Sequence, residues 1–220
     1  MNISWYGHSC FKIQTKAKRG GEEIIIFTDP FDKSIGLRRP QGQANIVTIS
    51  HNHSDHNDTE LLKGDFFTAD SPGEFSIQGV TIEGIDSFHD DQQGAVRGRN
   101  TIFMLESEDI RICHLGDLGQ ELTEKQIDAI GDIDILMVPV GGTYTLDSKT
   151  AKKVVGQIEP KIIVPMHYKI DGLTVNINDE TEFCNELGAT IGEKLSRISL
   201  KKRDLDEIEN KVIVMSVINS

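Results

Sequence analysis

Apolar positions in the first half of the chain fall in short runs separated by turn residues, a pattern of strands rather than helices. The predicted strands are Ile3–Tyr6, Cys10–Thr15, Glu23–Thr28, Asn45–Ser50, Phe66–Ala69, Val80–Phe88, Asn100–Ser107 and Ile110–His114. Lys18-Arg19-Gly20-Gly21 and Glu108-Asp109 read as hairpin turns. The second half carries helix signals. Thr123 and Gln126 have capping-box spacing ahead of a C-cap at Gly131, Asp147 caps a helix running towards Gln157, and Asp179–Glu182 opens a third that Gly188 closes. The apolar strands Ile133–Val138 and Lys161–Pro165 alternate with these helices, and a short helix is predicted over Asp58–Leu62. No fixed-period repeat, low-complexity tract or long linker interrupts the chain, so one domain spanning 1–220 is expected. Strands followed by strand and helix alternation imply sheets packed face to face with helices outside.

Charge narrows the function classes. The 35 acidic and 23 basic residues among 220 give a net charge of −12, which argues against a nucleic-acid surface but leaves room for a local anion pocket. Met1 leads directly into a strand, and no apolar run is long enough to span a bilayer, so a soluble cytoplasmic protein without membrane partners is expected. Cys10, Cys113 and Cys184 are odd in number and widely spaced, which reads as reduced thiols in packed positions. Cys113 precedes His114, yet a strand cysteine facing the core is the reading favoured over a thiolate ligand. Lys201-Lys202-Arg203 sits among acidic residues as a solvated turn.

The chemistry concentrates in Ser50-His51-Asn52-His53-Ser54-Asp55-His56, where three imidazoles and a carboxylate follow the apolar run Ile46–Ile49. His51 and His53 are two residues apart, so an extended segment projects both to one side. The remaining histidines, His8, His89, His114 and His167, each lie beside turn or strand-end signals, which invites a shared site on one rim of a sheet.

In order along the chain, Asp29 in Phe27-Thr28-Asp29-Pro30, then His51, His53, Asp55 and His56, then His89, Asp117 and His167 complete a pattern that resembles the metallo-β-lactamase superfamily. Gly7-His8-Ser9-Cys10-Phe11, His114-Leu115-Gly116-Asp117, Pro139–Thr145 and Pro165-Met166-His167-Tyr168 are similar to a branch that includes L-ascorbate-6-phosphate lactonase-like proteins. The resemblance implies an α/β fold, a four-layer αββα sandwich of two mixed sheets. It also implies two divalent ions, with His51, His53 and His89 on one, Asp55, His56 and His167 on the other, and Asp117 between them. Zinc suits this donor set best, with manganese or iron as alternatives.

The implied reaction is hydrolysis of a small, anionic metabolite of the lactone or phosphoester class by a hydroxide bridging the ions. Asp55 and Asp117 are then catalytic as well as ligating, Asp29 orients the His-rich loop, His8 is a candidate for substrate positioning or proton transfer, and His114 for supporting the ligands from behind or for proton transfer. Thr143 and Tyr144, in the Gly141–Tyr144 loop, are candidate substrate contacts; Arg97, Arg99 and Lys169 could bind an anionic group, but ordinary exposed basic residues are the favoured reading for each. A metal-dependent nuclease is the alternative from another reaction class; the acidic charge and the lack of a long inserted domain weigh against it. A di-iron redox site is disfavoured because relatives of that type carry Glu where His53 stands. A non-catalytic metal-binding module is disfavoured because a structural site closes its coordination, whereas this set leaves positions open. Oligomeric state is not legible in the sequence.

Overall fold

Alternate residues of the early strands enter two different cores. The computed structural model describes residues 1–16 and 21–218. Its strands are β1 (Asn2–Gly7), β2 (Cys10–Lys16), β3 (Glu23–Thr28), β4 (Gly42–Gln43), β5 (Ile46–Thr48), β6 (Leu62–Lys63), β7 (Phe67–Ala69), β8 (Gly73–Ile77), β9 (Val80–Phe88), β10 (Arg99–Ser107), β11 (Ile110–His114), β12 (Ile135–Pro139), β13 (Ile162–Met166), β14 (Ile198–Ser199) and β15 (Lys211–Val212). The helices are α1 (Glu124–Ile130), α2 (Ser148–Ile158) and α3 (Thr181–Glu186).

Among the described residues, one sheet has the order β14-β1-β2-β3-β5-β7, a second the order β15-β13-β12-β11-β10-β9-β8, and β4 pairs with β6. Both large sheets mix parallel and antiparallel neighbours. Ile3, Trp5, Phe11, Ile13, Ile24 and Ile26 face the second sheet and share a core with Ile82, Ile102 and Ile112. Their alternates Tyr6, Cys10 and Phe27 point outwards, into a smaller cluster with Phe31, Ile35 and Leu173. The period-two geometry of a strand therefore explains why these strands are apolar on both faces.

The sandwich expected from sequence is present, with its outer layers built differently. The three α-helices pack together on the second sheet, where Ala151, Val154 and Phe183 reach the main core. The outer face of the first sheet is covered by a 3-10 turn at Lys33–Ile35 and by loops carrying Leu173 and Ile177. The Thr123 capping box forms, and Asp147 caps α2 by accepting from Thr150 N at 2.7 Å. Glu108 and Asp109 close the β10–β11 hairpin with φ of 55° and 61°, the left-handed pair that such a turn requires.

The helix expected over Asp58–Leu62 is absent. Asp58 is tied back by its N–H to Pro30 O at 2.7 Å and by its carboxylate to Arg39 Nε at 2.7 Å, and Leu62 turns onto Thr59 O before entering β6. Local helix propensity over five residues is outweighed by these distant anchors. Of the turn expected at 18–21, residues 18–20 lie outside the described residues. All three cysteines are free and buried, Cys113 within the main core. Among the described residues, no helix is long and apolar enough to cross a membrane.

Candidate metal centre

Topology alone brings the candidate residues to one rim. β3 and β5 run parallel, as do β11, β12 and β13; β1 is antiparallel to β2, which is antiparallel to β3, and β9 and β11 both run antiparallel to β10. The C-terminal ends of β1, β3 and β5 therefore share one edge, as do those of β9, β11, β12 and β13. His8, Asp29, His51, His89, Asp117, Thr143 and His167 all follow such ends. The chain turns sharply there: His8, Asp29, Thr143 and His167 have φ of 55°, 39°, 45° and 51°, an uncommon backbone region for residues other than glycine.

Asp29 sets the protonation of the His-rich loop. Its Oδ1 accepts from Ser50 N at 2.7 Å, and its Oδ2 accepts from Ser50 Oγ at 2.6 Å and faces His56 Nδ1 at 2.9 Å. Burial works against ionisation, but the His56 contact outweighs it and holds the carboxyl below its usual range. With the only Ser50 hydroxyl proton directed at Asp29, Ser50 Oγ accepts from His51 Nδ1 at 2.9 Å. Both imidazoles thus carry a proton on Nδ1, which leaves Nε2 as the atom available to a ligand. His51 Nε2 is buried without a hydrogen-bond partner.

Asp117 Oδ2 is the focus of the cluster, 3.3 Å from His56 Nε2, 3.3 Å from His89 Nε2 and 3.2 Å from His167 Nε2. Its carboxyl is held well below the ordinary range; burial opposes this, and His167 and His56 outweigh burial. His56 is raised well above its ordinary value against the pull of burial, because Asp117 and Asp29 flank it. A lone pair on His56 Nε2 facing a carboxylate oxygen requires a cation or proton between them. His51 is pushed down to about 3, and His8 to about 4, by burial first and then by a neighbouring histidine, His56 and His167 respectively.

Among the described residues, three sets of donor atoms lie within 4.8 Å of one another: His51, His53 and His89; His8, His56 and His167; and His51, His56 and Asp117. The first set is the one expected from sequence. In the second, His8 stands with His56 and His167 where Asp55 was expected; Asp55 Oδ2 lies 3.2 Å from His8 Nε2 and 3.8 Å from His56 Nε2. These imidazoles and carboxylates, with the buried unpartnered Nε2 of His51 among them, are a donor set that fits divalent ions of the zinc class.

His114 does not join the cluster. Gly116 N donates to its Nδ1 at 3.2 Å, so its Nε2 carries the proton and donates to Ser9 O at 2.9 Å. Both ring nitrogens are hydrogen-bonded to backbone, so His114 lies behind the cluster rather than among its donor atoms. Arg99 is paired with both oxygens of Asp86 at 2.8 Å, and Lys169 Nζ donates to the carbonyls of Leu173 and Val175. Thr143 and Tyr144 are exposed and line a cavity of about 600 Å³ that also reaches His89.

Two further residues organise the site. Asn100 Oδ1 accepts from Asp117 N at 2.9 Å, and its Nδ2 donates to Ser87 Oγ at 2.7 Å and Leu115 O at 2.9 Å. Asp90 takes four backbone N–H groups, from Gln92, Gly94, Val96 and Arg97, at 2.7 to 2.9 Å. The signal for Asn100 was an amide at the start of an apolar strand, a position that asparagine rarely fills without a partner.

The chain is similar to known proteins over most of its length. The model of the beta-lactamase superfamily domain matches residues 2–167. The UPF0173 protein of Pyrococcus abyssi is 31% identical in a 191-residue alignment, with 76% of this chain and 83% of the relative covered. The UPF0173 metal-dependent hydrolase of Thermoplasma acidophilum is 25% identical in a 217-residue alignment, with 87% of this chain and 92% of the relative covered. A crystal structure from Thermotoga maritima, described as a candidate zinc-dependent hydrolase of the metallo-beta-lactamase superfamily, superposes with a TM-score of 0.76 at 38% identity over 97% of both chains.

Proposed function

This chain belongs to the metallo-β-lactamase superfamily, and from that premise we propose that it is a metal-dependent hydrolase acting as one domain on a small, anionic metabolite of the lactone or phosphoester class. The observation that carries the reading is the convergence of His56, His89 and His167 on one oxygen of Asp117, with His51 Nε2 beside them lacking any partner.

His51, His53 and His89 would hold one divalent ion, and His56 and His167 the other, with Asp55 or His8 completing the second set and Asp117 shared between the two. Zinc is the simplest occupant, with manganese or iron as alternatives. Bound ions supply Lewis acidity, which acidifies water and polarises a carbonyl or phosphoryl oxygen. The chain's own contribution is arrangement. Asp29 fixes the tautomers of His51 and His56, and Asn100 fixes the backbone of Asp117. His8, 3.2 Å from Asp55 Oδ2, is positioned to hold a proton on that carboxylate's side of the site.

Elemental analysis of purified protein, coupled to a panel of lactones and phosphoesters, tests the reading. Two ions per chain and turnover of one class, abolished by Asp117→Asn with the fold retained, are the expected results. Fewer than one ion after metal supplementation would overturn it.

A further inference from the structure

Two cavities flank the histidine cluster, and Arg97 lines both. One, of about 600 Å³, runs from His89 past Gly119 to Thr143 and Tyr144; the other, of about 700 Å³, borders Ser50, His51 and His53. Several carboxylates around them are already engaged. Asp90 is taken up by four backbone amides, Asp147 caps α2, Glu121 pairs with Lys153 at 2.7 Å, and Asp86 pairs with Arg99.

Arg97 is different. Among the described residues it makes no ion pair; its Nη2 donates to Thr143 O at 3.3 Å, and its guanidinium lies over the Tyr144 ring, 5.4 Å from the centroid. The residue is partly buried, and these two contacts set its guanidinium against the Thr143–Tyr144 loop. The loop that carries it is closed at its ends by His89 N donating to Gly98 O at 3.1 Å, and is held from within by Asp90, one of whose oxygens accepts from Arg97 N itself at 2.7 Å. A guanidinium tethered on one edge keeps its other N–H groups for a ligand, and a pre-ordered arginine loses little freedom on binding.

We propose that Arg97 is the specificity-determining residue of the site: a carboxylate or phosphate on the substrate docks on its guanidinium while the reacting group lies over the histidine cluster. Tyr144 and Thr143 act in this arrangement by holding Arg97 as well as by lining the cavity. The assignment rests on the hydrolase reading above, and it turns the expected preference for anions into a property of one side chain.

Metal-chelating hydroxamates separate the two ideas. Zinc-loaded protein is titrated calorimetrically with butyrohydroxamate and with a series of ω-carboxy hydroxamates carrying two to four methylenes, for the wild type, Arg97→Gln and Arg97→Lys. Zinc content and thermal midpoint are measured for each variant. The wild type is expected to bind the best-fitting carboxylated probe about tenfold more tightly than butyrohydroxamate, as a charge-assisted contact would give. Arg97→Gln is expected to erase that ratio and Arg97→Lys to keep part of it. A phosphonate-ended series then shows which anion is preferred. Equal affinity for both probe types in the wild type, or a preference that survives Arg97→Gln, would overturn the assignment alone. Failure of every hydroxamate to bind would overturn the metal-centre reading, and this one with it.

Discussion

Asp29 Oδ2 lies 2.9 Å from Nδ1 of His56 and also accepts the hydroxyl of Ser50, so one buried carboxylate sets the tautomer of two histidines 27 and 22 positions further along the chain. Its φ of 39° is one that asparagine tolerates better than other replacements, so Asp29→Asn should fold. The amide cannot accept from both partners as the carboxylate does. Metal affinity is therefore expected to fall about 10- to 100-fold, the usual cost of losing such an orienting partner. Competition with a chromophoric chelator measures it, with circular dichroism as the check on folding; unchanged affinity would show that Ser50 and His56 need no orienter.

His114 offers the opposite profile. Removing its ring in His114→Ala leaves Gly116 N–H and Ser9 O without their buried partners, at about 1–3 kcal/mol each. A lower denaturation midpoint with full metal stoichiometry is expected. Loss of a bound ion at unchanged stability would instead return His114 to the site.

How much of this was legible in the sequence depended on whether partners lie close along the chain. The His51–His56 loop announces itself because four donors fall within six residues. The long strands were legible because alternation fills a core on each face, whereas β8 was not: Glu74 and Ser76 are exposed on an edge strand, and the apolar signal is thin. The two-residue strands β14 and β15 are held by pairing with β1 and β13 far away, so no local pattern marks them. Asp55 was placed with His56 and His167 because it sits in the same motif. That the fold brings His8 into that group, 48 residues before His56, depends on the β1–β2 turn and on His167 N donating to His8 O at 3.0 Å. Arg97 was one of three exposed-looking basic residues until the fold spent Arg99 and Lys169 on other partners.

Gly116 ties the backbone to the site by lack of a side chain. Its φ is +56°, and a Cβ there would meet Asn100 Oδ1 and, at 2.6 Å, Ser50 Cβ. Asn100 Oδ1 holds Asp117 N, and Ser50 holds Asp29, so a methyl group would push apart the two contacts that fix the cluster. Gly116→Ala is expected to destabilise by about 2–4 kcal/mol and to weaken metal binding together with stability. Denaturant titration and metal titration of the same preparation check the coupling; a variant with wild-type values for both would mean the loop yields easily.

Away from the metal centre, Asp134 links pH to stability. It is buried and accepts from Arg111 N at 3.0 Å and Lys202 Nζ at 2.8 Å, with Lys161 Nζ at 3.2 Å. Burial pushes its pKa up, but these partners outweigh burial and depress it below the ordinary value. The sign follows: the unfolded chain binds the proton more tightly, so the stabilisation is full above the unfolded pKa of about 3.9 and is lost as pH falls through the lower folded value. Asp134→Asn should therefore be less stable than wild type at pH 7, with the gap closing below about pH 4. Urea midpoints between pH 7 and pH 2.5 measure it; a gap independent of pH would assign the effect to packing.

Metal removal gives the most direct energetic test. In the metal-free cluster, the lone pairs that Asp29 turns towards the centre face the ionised Asp117, and only a proton or cation between them relieves the repulsion. Ions that bind the folded chain and not the unfolded one stabilise it by RT ln(1 + [L]/Kd), about 2.7 kcal/mol when the free ion is at 100 times its Kd. The thermal midpoint should therefore fall on dialysis against a chelator and rise again with added zinc in a concentration-dependent way. The same treatment of Asp117→Asn should move the midpoint much less, because the oxygen on which three histidines converge no longer carries its charge. A midpoint in the wild type indifferent to both chelator and zinc would mean that protons alone hold the cluster together.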